Sequence, residues 1–212
     1  MIISPEHVVW KSVLLLAWES FVSGSVPVGA AILAPTTQPI FGRSRAGERR
    51  APSGEISNSR IAHAEINALA KLPVGEYSDH VLISTYEPCI ICTTAARHSK
   101  IGSLIYAASD PLWTNINKVP DAIPRLKSCW PQRILVDSPQ LQWIGAILPV
   151  IFSIERSPTG SVARAYEAAH PQILAAAQAV VTDGHAANWR QSTLEAAADE
   201  IEQLRISFTD RE

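Results

Sequence analysis

Apolar residues near the start of the chain recur at the spacing of one helical face. This pattern predicts an amphipathic helix over about residues 6–22, and Gly24 is placed to end it because glycine is a common helix stop. The apolar positions that carry the pattern are Val9, Val13, Leu16, Ala17 and Phe21.

Shorter apolar runs beyond this helix have the length of strands. Residues 28–33 and 40–43 flank a turn that contains two prolines, and this arrangement predicts a β-hairpin. A helix, a hairpin and two further helix–strand alternations indicate an α/β fold in which helices cover a sheet. The alternations consist of helices predicted over 63–72 and 89–99 and strands predicted over 81–86 and 103–108.

The second half of the chain has a weaker pattern. Residues 134–136 and 144–152 are apolar and fit either short strands or helix, since Gly145 and Pro149 interrupt the longer run. The composition changes near residue 156, where a Ser-Pro-Thr-Gly turn precedes two alanine-rich stretches with helical spacing. We therefore predict a main domain over 1–155 and a helical extension over 156–212 that packs on the core or on a second subunit.

Composition and charge narrow the class of protein. With 47% hydrophobic and 18% charged residues, the 212-residue chain has enough apolar material for a sizeable core. A net charge of -2 does not indicate a nucleic-acid-coating surface, and no apolar run is long enough to span a membrane. Three cysteines, two of them in a Cys-x-x-Cys pair, indicate a reduced intracellular protein, and a start without a basic segment does not resemble a signal peptide. We expect a cytoplasmic location.

A long loop over residues 44–60 carries several arginines. Loops of this length inside a compact domain are often functional, so two interpretations stay open. The loop is either a solvated surface segment or a contact for a phosphate or for an entering substrate. The arginines in and beside it are Arg43, Arg45, Arg49, Arg50 and Arg60.

Cys89, Cys92 and His63 have the chemistry of a catalytic zinc site. Two cysteines three residues apart at a helix start place both sulfurs on one helical face, where the helix N-terminus favours thiolates. His63 opens the preceding helix and can supply a third ligand. Three protein ligands leave the fourth zinc position for water, whereas a structural site would need a fourth ligand that is not evident nearby.

Glu65 lies two residues after His63 and can reach the same pocket. Zinc lowers the pKa of a bound water to near neutrality, so a neighbouring group must accept that proton and return it. A glutamate that does not bind the metal suits this role.

These residues form a recognisable pattern. His63-Ala64-Glu65 followed by Pro88-Cys89-Ile90-Ile91-Cys92 has the His-x-Glu and Pro-Cys-x-x-Cys signature of the zinc deaminases. Over about residues 5–110 the chain resembles the cytidine and adenosine deaminase superfamily. It is most similar to the branch of bacterial tRNA adenosine deaminases and guanine deaminases, through 26–30, 63–66, 87–89 and 98–102.

The resemblance implies a three-layer α/β/α fold with a central mixed sheet, one zinc ion per subunit and a homodimer. It implies that zinc is held by His63, Cys89 and Cys92 and that Glu65 moves protons while an exocyclic amine is replaced and ammonia leaves. It also implies substrate contacts from the backbone around Ala64 and around Glu87-Pro88. Ser44 stands near the place of a substrate-binding asparagine in the tRNA enzymes.

Three functions remain open at this point. We favour a nucleobase, nucleoside or related small heterocycle as the substrate, because the chain is mildly acidic and its pocket loops depart from the family pattern. The alternative is adenosine in a tRNA loop, which the closest motifs and the arginine-bearing loop support. A catalytically silent, zinc-stabilised scaffold with partner-binding C-terminal helices is less consistent with an intact Glu65.

Other polar and aromatic residues receive structural interpretations. Cys129 is expected to be a buried inert thiol and His98 a structural helix residue. Trp113 is expected in the core or at an interface, with stacking on a substrate ring as the alternative. Asn58 could replace the family's asparagine or could simply be a polar loop residue.

Overall fold

A five-stranded mixed sheet forms the centre of the computed structural model, which describes residues 5–209. The strand order is β2-β1-β3-β4-β5, with β1 antiparallel to both of its neighbours and β3, β4 and β5 parallel. Residues 1–4 lie outside the described residues, and the expectation about a signal peptide depends partly on them. The strands are β1 (Gly29–Leu33), β2 (Ile40–Arg43), β3 (Val81–Tyr86), β4 (Ser103–Ala108) and β5 (Gln132–Leu135).

Helices cover both faces of this sheet. One face carries α1 (Pro5–Val22), and the other carries α2 (Ala64–Leu69) with α3 (Ile90–His98). A short helix α4 (Val119–Ala122) follows β4, and α5 (Pro139–Ile154) then returns to the α1 face. The predicted three-layer α/β/α fold with a mixed sheet is confirmed, although α2 is shorter than the helix predicted over 63–72.

Burial on both faces explains why the central strands are continuous apolar runs. In β3, Leu82, Ile83, Ser84 and Thr85 are all buried, so side chains of both alternating sets face a covering helix. On the α2 and α3 side, Ala30, Ile32 and Leu82 pack against Ala64, Ala68 and Ala96. Small helical side chains at these positions let the two helices lie close to the sheet.

Gly42 in β2 fixes the height of α2 above the sheet. A Cβ atom at this position would lie 2.4 Å from the carbonyl oxygen of Ala64 and 2.4 Å from the amide nitrogen of Ala68. Only a residue without a side chain therefore permits this approach. The first turn of α2 is held directly on the strand.

The apolar run that fitted either strand or helix is the helix α5. Ser138 caps it by accepting a hydrogen bond from the amide of Leu141 at 3.4 Å, and Pro139 occupies the first turn, where its missing amide is no disadvantage. Pro149 is tolerated inside the helix, and Ser153 donates to the Pro149 carbonyl oxygen at 2.7 Å. The strand predicted near 134–136 is also present and begins earlier, at Gln132.

The two helices predicted in the extension are four in the described structure. Pro171 interrupts the first stretch, because a residue before proline avoids the helical region and His170 has φ -145° and ψ 61°. The second stretch is interrupted before Thr193, whose hydroxyl accepts from the amide of Ala196 at 3.2 Å. The helices are α6 (Ser161–Ala169), α7 (Pro171–Thr182), α8 (His185–Trp189) and α9 (Leu194–Thr209).

Helices α6, α7 and α9 pack on α5, and the extension shares a buried apolar cluster with α1. Trp18 of α1 donates its indole N–H to the carbonyl oxygen of Ser192 at 3.1 Å. The division at residue 156 stays a prediction. Within residues 5–209, none of the helices combines the length and apolar character needed to cross a membrane.

Candidate metal centre and its cavity

Two helix N-termini bring the predicted metal ligands together. His63 is the residue before α2 and Cys89 the residue before α3, both with extended backbone, while Cys92 lies in the first turn of α3. The Nδ1 atom of His63 lies 3.2 Å from Sγ of Cys92 and 3.6 Å from Sγ of Cys89. The two sulfurs are 3.6 Å apart.

These distances fit a zinc ion. With the usual zinc–sulfur and zinc–nitrogen bond lengths, a tetrahedral site has edges of about 3.8 Å between sulfurs and about 3.6 Å between sulfur and nitrogen. The observed separations lie close to these edges, and the donor set of one imidazole and two thiols is typical of zinc. Among the described residues, this cluster is the one group of His, Cys, Asp and Glu side chains arranged to hold a metal.

The electrostatics of the cluster favour a metal ligand set. The contact with the Cys92 sulfur and the hydrogen bond with His63 lower the pKa of Cys89 to about 4, which favours the thiolate form that zinc binds. The hydrogen bond to Cys89 raises the pKa of His63 to about 9. Metal binding would therefore displace a proton from His63, as ligation of imidazole requires.

Glu65 lies beside the three ligands and is almost fully buried, with 4% of its surface exposed. One carboxylate oxygen accepts from Sγ of Cys92 at 3.4 Å, and the other accepts from the hydroxyl of Ser84 at 3.3 Å. Burial raises the pKa of the Glu65 carboxyl. A raised pKa makes the ionised carboxylate a better proton acceptor, as a general base requires.

A cavity of about 290 Å³ opens beside this cluster. Ser44, Ala64 and Glu87, three of the four predicted substrate-binding residues, line the cavity, whereas Pro88 is not among its lining residues. The buried hydroxyl of Ser44 has no hydrogen-bond partner among the described residues. The apolar and aromatic part of the lining consists of Val26, Val28, Tyr86, Ile90, Ile91 and Trp113.

Glu87 and Pro88 are fixed through hydrogen bonds by a residue that sequence analysis did not identify. Arg133 of β5 has a fully buried side chain, and its guanidinium donates to the Glu87 carboxylate at 2.6 Å and to the Pro88 carbonyl oxygen at 3.1 Å. It also donates to the hydroxyl of Thr93 in α3. Arg133 therefore connects β5 to the turn that carries Cys89.

Asp110 is a second residue that sequence analysis did not identify as part of the site. It lines the cavity just beyond β4, and burial raises the pKa of its carboxyl to about 6. Its amide donates to Glu87 at 2.9 Å, and its carboxylate accepts from the amide of Leu112 at 3.0 Å. A usable signal was its place after a predicted strand, since ligands of α/β sheets bind beyond the carboxyl ends of the strands.

The arginines in and beside the 44–60 loop divide into two groups. Arg43 and Arg45 are mostly buried in ion pairs with Glu48 and Glu55, so they stabilise the loop instead of reaching solvent. Arg49, Arg50 and Arg60 are exposed. The buried Asn67 of α2 also holds the loop, through hydrogen bonds with both backbone polar groups of Ile56 at 2.7 and 3.1 Å.

Four minor predictions can be compared with the structure. The prediction that Cys129 is a buried thiol is wrong, because Cys129 lies on the exposed segment after α4 and contacts Arg97 at 3.1 Å. Trp113 lies in the cavity wall, and His98 is exposed at the end of α3. Asn58 is an exposed turn residue with φ 51° and does not line the cavity.

Sequence comparison identifies a family over the half of the chain that contains the cluster. Residues 4–108 match the cytidine and deoxycytidylate deaminase zinc-binding region. A tRNA-specific adenosine deaminase of Rickettsia bellii is 34% identical over 95 residues, which are 43% of this chain and 61% of that protein. A tRNA(Ile)-lysidine synthase of Deinococcus radiodurans is 34% identical over 111 residues, 50% of this chain and 18% of that protein. The chain thus spans less than two thirds of the length of these curated relatives.

Comparison with solved structures returns a guanine deaminase from Nitrosomonas europaea. It aligns with a TM-score of 0.46 and 22% sequence identity, over 64% of this chain and 78% of that protein.

Proposed function

Because the chain belongs to the cytidine and deoxycytidylate deaminase zinc-binding family, we propose that it is a zinc-dependent hydrolytic deaminase. It removes an exocyclic amine from a nucleobase, nucleoside or related small heterocycle and releases ammonia. The observation that carries the proposal is a buried Glu65 carboxylate 3.4 Å from a ligand of the His63, Cys89 and Cys92 cluster.

The roles of the side chains follow from their positions. His63, Cys89 and Cys92 hold one zinc ion per subunit, and zinc at this position supplies activation of a water molecule at neutral pH. Glu65 would accept one proton of the attacking water and deliver it to the ring nitrogen, and it would then transfer the proton of the added hydroxyl to the amine, which leaves as ammonia when its bond to carbon breaks. Ser84 keeps the Glu65 carboxylate oriented through its hydroxyl. Burial excludes competing water from Glu65, which keeps its proton available for transfer.

The cavity supports a small, flat substrate. Its volume of about 290 Å³ is at the lower end of the range for small-molecule sites. Trp113 and Tyr86 present aromatic surface on its wall, and aromatic faces bind heterocyclic rings by stacking. The hydroxyl of Ser44 offers a hydrogen bond to the ring, since a buried polar atom without a partner is uncommon. The backbone around Ala64 and Glu87 completes the ring contacts.

Adenosine in a tRNA loop is the second candidate. The tRNA-specific adenosine deaminase of Rickettsia bellii is a sequence relative, and Arg49, Arg50 and Arg60 are exposed on the loop that precedes His63. Arg43 and Arg45 are engaged in ion pairs, which leaves fewer cations for phosphates and favours the small substrate. A homodimer remains part of either proposal.

Ammonia release by zinc-loaded protein tests both candidates. The panel contains guanine, cytosine and adenine, their nucleosides and nucleotides, and an adenosine-containing tRNA stem-loop. Glu65→Gln is the matched variant, because it keeps the shape of the side chain and removes the proton transfer. We expect its kcat to fall at least about a hundredfold while its zinc content equals that of the wild type.

The outcomes separate the candidates. Turnover of one small heterocycle, lost in Glu65→Gln and after zinc removal, supports the main proposal. Turnover of the stem-loop alone, with binding that weakens steeply with salt, supports the tRNA alternative. Full activity in Glu65→Gln or in zinc-free protein would refute the proposed chemistry, and silence across the panel would favour a zinc-stabilised scaffold.

A further inference from the structure

Tyr166 of the C-terminal extension makes a direct contact with the cavity wall. Its side chain is fully buried although α6 lies outside the three-layer core. Its hydroxyl lies 3.0 Å from the hydroxyl of Tyr86, which lines the cavity, and 3.3 Å from the carbonyl oxygen of Ser109. These two groups are 80 and 57 positions away from Tyr166 in the chain.

Each tyrosine hydroxyl in this contact has an acceptor besides the other tyrosine. A carbonyl oxygen only accepts, so Tyr166 donates to Ser109. The hydroxyl of Tyr86 also hydrogen-bonds to the Asp110 carboxyl, and either hydroxyl can donate in the contact between the two tyrosines. Burial raises the pKa of Tyr86 and raises that of Tyr166, so both phenols keep their protons over the whole neutral range. The result is a hydrogen-bonded link that joins Tyr86, Tyr166 and the backbone at Ser109.

The anchored backbone leads directly to cavity residues. Ser109 precedes Asp110, and the next residues form a single helical turn, Pro111–Trp113, on which α6 packs. Asp110 and Trp113 both line the cavity. Tyr166 therefore holds three lining side chains, one through its hydroxyl and two through the backbone that it fixes.

We propose that Tyr166 is a positioning residue of the substrate cavity, so that the extension determines how tightly this wall holds a substrate ring. Tyr166 acts through Tyr86 and through the Ser109–Asp110 backbone, and it touches neither metal ligand nor reacting atom. The inference rests on the proposed function only in taking this cavity as the substrate site.

Tyr166→Phe is the informative variant because it removes one hydroxyl and keeps the ring that packs in the core. Tyr77→Phe is the matched control, since the Tyr77 hydroxyl donates to the Pro73 carbonyl oxygen at 2.7 Å on the exposed surface. The first measurement is amide hydrogen exchange by mass spectrometry on zinc-loaded, full-length protein. It needs no substrate. Leu112 and Trp113 report on the wall, because their amides donate to Asp110.

We expect peptides covering residues 109–114 to exchange roughly three- to tenfold faster in Tyr166→Phe, as the loss of a buried hydrogen bond implies. Peptides of α2 and α3 should exchange as in the wild type, and the zinc content should be unchanged. With any heterocycle that the wild type deaminates, KM should rise by a similar factor while kcat changes little. Tyr77→Phe should match the wild type in every measurement.

Some outcomes would overturn the proposal. Unchanged exchange over 109–114 would show that the hydroxyl does not hold the wall, and faster exchange across the whole chain would show a merely structural role. A fall in kcat with unchanged KM would also contradict it. If the wild type deaminates nothing in the panel, the proposed function fails, whereas the exchange experiment still decides the role of Tyr166.

Discussion

Replacing Arg133 by methionine would expose how strongly β5 supports the metal centre. Arg133 has no exposed side-chain surface, and its partner Glu87 is 7% exposed. Methionine fills much of the volume of the aliphatic stem but leaves the Glu87 carboxylate buried without its counter-charge. Removing one partner of a buried ion pair costs about 3–5 kcal/mol of folding free energy, mainly because the remaining charge is uncompensated.

This free energy converts into a large shift of the melting temperature. For a chain of this size, each kcal/mol lowers the melting temperature by about 2–4 °C, so Arg133→Met should melt about 6–20 °C below the wild type. Urea unfolding followed by circular dichroism gives the free energy itself. The zinc content should also fall, because the turn with Pro88 and the hydroxyl of Thr93 lose their donor.

Two comparisons test the reasoning. Adding Glu87→Gln to Arg133→Met removes the stranded charge and keeps an acceptor for the Asp110 amide, so the double variant should regain more than half of the loss. Lys127→Met breaks an exposed pair with Asp121 and should leave stability close to that of the wild type. A loss below about 1 kcal/mol in Arg133→Met, or no recovery in the double variant, would refute the account.

Two other substitutions follow from the structure. Gly42→Ala places a Cβ atom 2.4 Å from the α2 backbone, so it should destabilise the protein by about 1–3 kcal/mol and weaken zinc binding, as measured by urea unfolding and chelator competition. Asp110→Asn tests the raised pKa. A buried acid whose pKa rises from 3.8 to about 6 destabilises the fold increasingly as the pH rises through that window. The variant should therefore gain stability relative to the wild type between the two values, and a pH-independent difference in urea unfolding would contradict the argument.

Local patterns predicted the elements that local forces determine. The strands β2, β3 and β4 begin and end where their apolar runs meet turn residues, and the structure has the predicted bounds. The metal cluster was predictable because zinc restricts its ligands to a few side chains and Cys89 and Cys92 share one helical turn. In α5, the same apolar residues suited strand or helix, and only the Ser138–Pro139 start distinguished the two.

Contacts between distant residues could not be predicted from these patterns. Glu87 and Arg133 are 46 positions apart. An arginine on a short strand resembles a surface residue in the sequence, and only the fold places it against the turn that carries Glu87 and Pro88. Tyr166 looked like one more residue of an alanine-rich helix. The position of Asp110 after a predicted strand was a usable signal, but its contact with Glu87 depends on the pairing of β3 with β4, which the order of elements does not specify. The prediction gave the extension too few helices. The helical spacing of apolar residues continues across Pro171, whereas the helical backbone is interrupted there.

The position of Arg133 on an outermost strand has a consequence for aggregation. β5 forms one edge of the sheet, and its Ile134 and Leu135 are 38% and 40% exposed. An apolar edge invites pairing with a strand of another molecule. Here the strand is four residues long and follows Pro131, which has no amide to offer. Its brevity, more than its charge, therefore protects this edge, and lengthening β5 would be expected to promote intermolecular strand pairing.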